Sequence, residues 1–90
     1  MTELSELQQN LARLIVESCE KNVDPLSLAP DEALFGSATR LALDSLDALQ
    51  LSMALQKRYG VALSADSQET RRHFASVRAL ADFVASQGKA

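Results

Sequence analysis

The side chains with chemical potential are few, and most stand alone. Asp44, Ser45 and Asp47 place a hydroxyl between two carboxylates within four positions. His73 is the only imidazole and Cys19 the only thiol. Arg71-Arg72-His73 is the densest basic run. A serine nucleophile needs a base, an orienting group and oxyanion donors in one cleft. Asp44-Ser45-Leu46 is similar to the opening of the Asp-Ser-Leu esterases, with His73 the one available base. Leu43 stands where those enzymes carry glycine, and they are much longer chains. A lone histidine without a second His or Cys nearby is no metal site. It reads as a surface or helix-end residue, where a cation suits the dipole. Arg71 and Arg72 read as solvated, and Cys19 as an inert core thiol. Ser45 is left without catalytic machinery of its own, and taken alone it reads as a polar helix-start residue.

Size and composition agree with a non-catalytic role. Ninety residues make one domain or less. A chain this long buries about 64% of its unfolded surface, which leaves little room for a catalytic cavity. Hydrophobic residues at 47% and charged residues at 23% fit a folded, soluble chain. Three Gly, two Pro and 4% aromatics favour helices with an aliphatic core over a turn-rich β protein. The net charge of −3 and the lack of a long basic run disfavour nucleic-acid binding. One cysteine forms no internal disulfide. No apolar run approaches the roughly 18 residues of a membrane helix, and no signal sequence is visible. The expectation is a cytoplasmic protein without membrane insertion.

Four helices must position Ser45. Leu4, Leu7, Leu11, Leu14, Ile15 and Cys19 recur at helical spacing. With Thr2 as cap, Glu3 and Glu6 in the first turn, and Lys21-Asn22 before Asp24-Pro25, the pattern predicts a helix over 3–21. Residues 22–43 form a long connection that its own leucines and Phe35 could pin to the core. Pro30–Leu34 is expected to make a short helical turn. Asp44 caps a second helix over 45–59, with Asp47 completing a capping-box-like pair and Gly60 stopping it. A short third helix is expected over 67–74, after Asp66 and with Glu69 in its first turn. A fourth follows Ser76 over 77–86, with Val77, Leu80, Ala81 and Val84 inward.

Helix 2 carries two apolar stripes. Leu46, Leu49 and Met53 lie within roughly 60° of one another. Ala48, Leu51, Leu55 and Tyr59 form a second stripe roughly 150° away. Either the helix is buried on both sides, or one stripe is an exposed patch for a partner. Ser45 falls at the first position of this helix, where unpaired N–H groups and the dipole favour a phosphate.

The tripeptide around Ser45 is too common to decide alone, but its context is not. Leu41-Ala42-Leu43-Asp44-Ser45-Leu46-Asp47-Ala48-Leu49-Gln50-Leu51, continuing through Met53-Ala54-Leu55 to Tyr59-Gly60-Val61, resembles the phosphopantetheine attachment segment of acyl carrier proteins. The order of helices and the long first loop resemble that family over essentially the whole chain. Leu34-Phe35-Gly36 and Arg71-Arg72-His73-Phe74-Ala75-Ser76-Val77 look most like the stand-alone carriers of aryl polyene clusters. The resemblance implies an all-α, small four-helix bundle forming one carrier domain over 1–90. It implies covalent 4′-phosphopantetheine on Ser45, donated by coenzyme A through a phosphopantetheinyl transferase. Acyl thioesters on that arm would be presented to ketosynthase, ketoreductase, dehydratase and acyl-loading enzymes. Leu46, Leu49 and Met53 match partner-facing positions, and Asp44 and Asp47, which match the acids flanking the site, are expected to bind partners with them. Leu51, Leu55 and Tyr59 match core positions. The thioester chemistry belongs to the arm, so the carrier is not an enzyme.

Two departures stand out. Ala42 replaces a glycine common near the attachment serine, which affects the loop backbone rather than the acceptor. Gln50, Gln56, Lys57 and Arg58 occupy positions that are often acidic in fatty-acid carriers, which favours a dedicated partner set. A peptidyl or aminoacyl carrier, and a cofactor-free helical interaction module, share the same fold features. A monomer needs no further assumption.

Overall fold

The computed structural model describes residues 5–61 and 68–87, and these fold into four helices. Helix α1 spans Glu6–Ser18, α2 Ser45–Tyr59, α3 Gln68–His73 and α4 Val77–Ser86. A single turn of 3-10 helix at Pro25–Ser27 interrupts the loop between α1 and α2. No strand occurs among the described residues; the only ladder-like contact is an isolated bridge between Phe35 and Leu43. The architecture is the small all-α bundle with a long first loop and a short α3.

Helix α1 is shorter at both ends than its apolar repeat suggests. Ser5, not Thr2, caps it, and Thr2 lies outside the described residues. Ser5 Oγ accepts the Gln8 N–H at 3.2 Å while Gln8 Oε1 accepts the Ser5 N–H at 3.0 Å. That reciprocal pair fixes the start. At the other end Glu20 adopts φ 53°, and the Lys21 N–H reaches Val16 O at 3.0 Å. The Glu20 N–H bonds Glu17 O at 3.3 Å. Together these are the bonds of a Schellman stop, made here without the glycine that usually announces it. Lys21 and Asn22 therefore leave the helix.

The helical turn in the loop also sits elsewhere. Pro25 opens it, because Asp24 Oδ1 accepts the Leu26 N–H at 3.0 Å and supplies the cap; at Pro30 and Asp31 the chain makes a single hydrogen-bonded turn, with the Glu32 N–H on Ala29 O at 3.1 Å, and no helix. Helix α3 ends at His73, before Phe74, and its expected cap Asp66 falls outside the described residues. Ser76 Oγ accepts the Ala79 N–H at 3.1 Å and starts α4.

The core is aliphatic with one aromatic anchor. Leu11 and Ile15 of α1, Leu51 and Leu55 of α2, Leu80 and Val84 of α4, and Phe74 are completely buried. From the loop, Leu28, Leu34, Leu41 and Leu43 join them, so these side chains pin the connection, whereas Leu26 stays exposed and takes no part. Backbone bonds add to this. The Leu34 N–H bonds Ala75 O at 3.3 Å, the Arg78 N–H bonds Pro30 O at 2.9 Å, and Leu43 N–H bonds Leu34 O at 3.1 Å. Arg78 also pairs with Asp31 at 3.0 Å. The loop is thereby tied to the α3–α4 junction, and its last residues are delivered to the start of α2.

The two stripes of α2 part company. Ala48, Leu51 and Leu55 are buried and Tyr59 is half-buried, whereas Leu46, Leu49 and Met53 are 67%, 46% and 58% exposed. Among the described residues only one side of α2 is covered. Leu51→Ala is expected to cost about 2–5 kcal/mol, and Met53→Ala under about 0.5 kcal/mol. Chemical denaturation of both variants checks this; equal losses would contradict the division of α2 into a core side and a free side.

Candidate functional site: the start of helix α2

Ser45 is the first residue of α2, and its side chain is exposed. Asp44 precedes it in extended backbone, φ −126° and ψ −169°. Asp44 Oδ1 accepts the Asp47 N–H at 3.0 Å, and Asp47 Oδ2 accepts the Asp44 N–H at 3.1 Å. The bonds from the Asp47 and Leu46 amides, led by that of Asp47, hold the Asp44 carboxyl below its ordinary range. This box orients the first turn, with Ser45 held between its two members.

Asp47 faces the fold more than solvent. Its Oδ2 lies 3.4 Å from Lys21 Nζ, and its carbonyl accepts the Cys19 thiol at 3.7 Å. Both partners come from the end of α1. Burial pushes the Cys19 thiol up to about 11, with nearby Asp47 adding to it, so Cys19 stays protonated and inert at neutral pH.

The approach to Ser45 is equally constrained. Ala42 has φ 49°, the left-handed region that glycine enters without cost. Thr39 stabilises this bend: its hydroxyl oxygen accepts the Ala42 N–H at 2.9 Å and lies 2.8 Å from Gly36 O and 3.1 Å from Leu34 O. Gly36, at φ 105°, makes the preceding turn. Arg40 holds the outer loop with a two-pronged contact to Glu32, at 2.7 and 2.8 Å, and bonds Ser27 O at 2.9 Å. The Arg40 hydrogen bond lowers the Glu32 carboxyl below its usual range.

A cavity of about 450 Å³ opens beside Ser45 and Asp44. Phe35, Ala48, Thr70, Arg71 and Phe74 contribute to its walls. Phe35 and Phe74 are parallel, with ring centroids 6.3 Å apart and planes 8° apart. His73 does not share this wall; it stacks on Phe83 at 4.1 Å. An exposed hydroxyl on a helix N-terminus, with the Arg71 cation on the adjoining wall, suits a covalently attached phosphodiester: the dipole and the cation both favour the anion. The apolar remainder of the cavity suits an uncharged chain.

The family model described as phosphopantetheine attachment site matches residues 9–84, and the chain belongs to that family. No curated protein and no solved structure matches the chain significantly. Members of the family carry covalently attached 4′-phosphopantetheine, and the chain is a phosphopantetheine-bearing carrier. Such carriers generally catalyse nothing themselves and depend on a phosphopantetheinyl transferase and synthase enzymes. Among the described residues no helix is long and apolar enough to cross a membrane.

The residues singled out in the sequence do not all share one place. Asp44 and Ser45 border the cavity, Leu46, Leu49 and Met53 line the free side of α2, and Asp47 is half-buried against α1. Sequence reading missed Thr39, Thr70 and the Phe35–Phe74 pair, because their roles depend on contacts across the loop and α3. Only the rarity of aromatics hinted at the pair.

Two outcomes are expected. Ala42→Gly relieves a left-handed alanine but gives the unfolded chain more freedom, so it should be neutral or stabilising by up to about 1 kcal/mol. A clear loss in a denaturant titration would contradict the bend. For acid, the folded carboxyl of Asp44 sits below its unfolded value of 3.8. Its contribution is therefore present above that value and lost as pH falls through the folded one. Asp44→Asn keeps an acceptor that does not titrate, so its melting temperature should fall less than the parent's between about pH 5 and about pH 3. An equal fall would place the acid sensitivity elsewhere.

Proposed function

We propose that Ser45 is the residue that bears the arm, and that the chain acts as a single acyl carrier domain over 1–90. The observation that carries this is the exposed Ser45 hydroxyl at the first position of α2, beside a largely apolar cavity, in a family defined by phosphopantetheine attachment. In the loading step the Ser45 oxygen forms a phosphodiester with the pantetheine-side phosphorus of coenzyme A. The pyrophosphate bond breaks, 3′,5′-ADP leaves, and the hydroxyl proton passes to a base of the transferase. No catalytic group of the carrier is needed.

The arm then holds acyl groups as thioesters for ketosynthase, ketoreductase, dehydratase and acyl-loading enzymes of a polyketide- or fatty-acid-like assembly. The likeness of Leu34-Phe35-Gly36 and of the α3 segment to aryl polyene carriers supports that pathway. Leu46, Leu49 and Met53 are the docking residues in this reading. Their exposure supports it, since a transient contact suits a small apolar patch. Asp44 and Asp47 contribute chiefly by holding the first turn. The carrier works in the cytoplasm, as a monomer between encounters.

Incubation with coenzyme A, magnesium and a phosphopantetheinyl transferase should add one phosphopantetheinyl group to the intact mass. Ser45→Ala should gain nothing, while its stability changes by under about 0.5 kcal/mol. A mass gain in the alanine variant, or its unfolding, would overturn the assignment.

A further inference from the structure

The net charge of the chain and the charge it offers beside Ser45 have opposite signs. The chain carries −3 overall. Yet the acids at the start of α2 are already engaged. The Asp44 carboxylate accepts the Asp47 amide, and the Asp47 carboxylate accepts the Asp44 amide and pairs with Lys21. Glu69, the acid of α3, also has a partner. The nearby cations have no ion-pair partner among the described residues. Lys57 and Arg58 close α2, and Arg71 and Arg72 lie in the last turn of α3. All four are exposed, and none forms an ion pair among the described residues; the pairs that occur use Lys21, Arg40 and Arg78.

Two of these cations lie toward the two ends of α2. At about 100° per residue, Lys57 falls on the same side of α2 as Leu46, Leu49 and Met53, one turn beyond Met53. Arg71 borders the same cavity as Ser45, near the start of α2. From Ser45 to Lys57 α2 rises about 18 Å. Between the two lie Gln50 and Gln56, neutral and exposed. The face thus presents three apolar side chains with a positive charge toward each end.

We propose that the enzymes docking on this face carry an apolar socket flanked by carboxylates, spaced to meet Arg71 near the Ser45 end and Lys57 at the far end. The inference rests on Ser45 being the attachment residue. Rim charges of this kind act on encounter and orientation, so their effect falls in binding and is screened by salt.

The test uses the 90-residue apo-protein and a phosphopantetheinyl transferase, with coenzyme A transfer followed by intact mass. Added salt should raise the KM of the parent protein. Lys57→Glu and Arg71→Glu should each raise KM several-fold, the double variant more, and Lys57→Gln and Arg71→Gln by intermediate amounts. Arg13→Glu, an equal charge change on the exposed side of α1, should leave KM unchanged. Circular dichroism confirms folding, and the glutamine variants carry the test should a glutamate variant unfold. A KM that stays level or falls on charge reversal overturns the proposal, as does an equal rise with Arg13→Glu. Modification with a level KM defeats this inference alone. No modification of the parent protein defeats the Ser45 assignment and the inference with it.

Discussion

The reciprocal bonds between Asp44 and Asp47 are the constraint on which the site depends. Each carboxylate satisfies the other residue's amide, so the first turn of α2 is closed before any partner arrives. Asp47 extends the constraint to α1 through Lys21 and Cys19. The end of one helix and the start of the next are thus joined at a single residue. Ser45, set between the two acids, inherits a fixed position without making the bonds itself. Its hydroxyl remains exposed for chemistry supplied from outside.

The loop serves the same end from the other side. Twenty-odd residues of irregular chain would ordinarily wander, but four buried leucines and the bonds from Leu34 to Ala75 and Arg78 to Pro30 anchor it. Thr39 then holds Ala42 in a left-handed bend just before Leu43 enters the core. The conformational cost of alanine there is offset by the burial of Leu41 and Leu43 on either side. A rigid approach to an exposed serine fits a carrier, whose partners must find the same atom each time.

Charge is distributed to match. The acids near Ser45 are used internally, and the cations that close α2 and α3 form no ion pair among the described residues. Net charge therefore says little about the sign a partner meets. What decides it is which side chains are already paired.

The sequence by itself determined the helices, the stripe pattern of α2 and the candidate serine. Those follow from local rules: apolar spacing near 3.6, a capping acid at Asp44, a stopping glycine at Gly60. Its errors came where a less usual local bond did the work of the expected signal. Glu20 fills the left-handed place of a stop that glycine normally marks, so α1 ends early. Asp24 caps at Pro25, so the loop's helical turn forms there and not at Pro30. Periodicity could also show that α2 has two apolar sides but not which one is covered. Only the packed structure decided that, because burial depends on how many elements are present to surround a helix. In this fold Ala48, Leu51 and Leu55 join one buried core with residues of α1, α4 and the loop, and nothing among the described residues closes over Leu46, Leu49 and Met53.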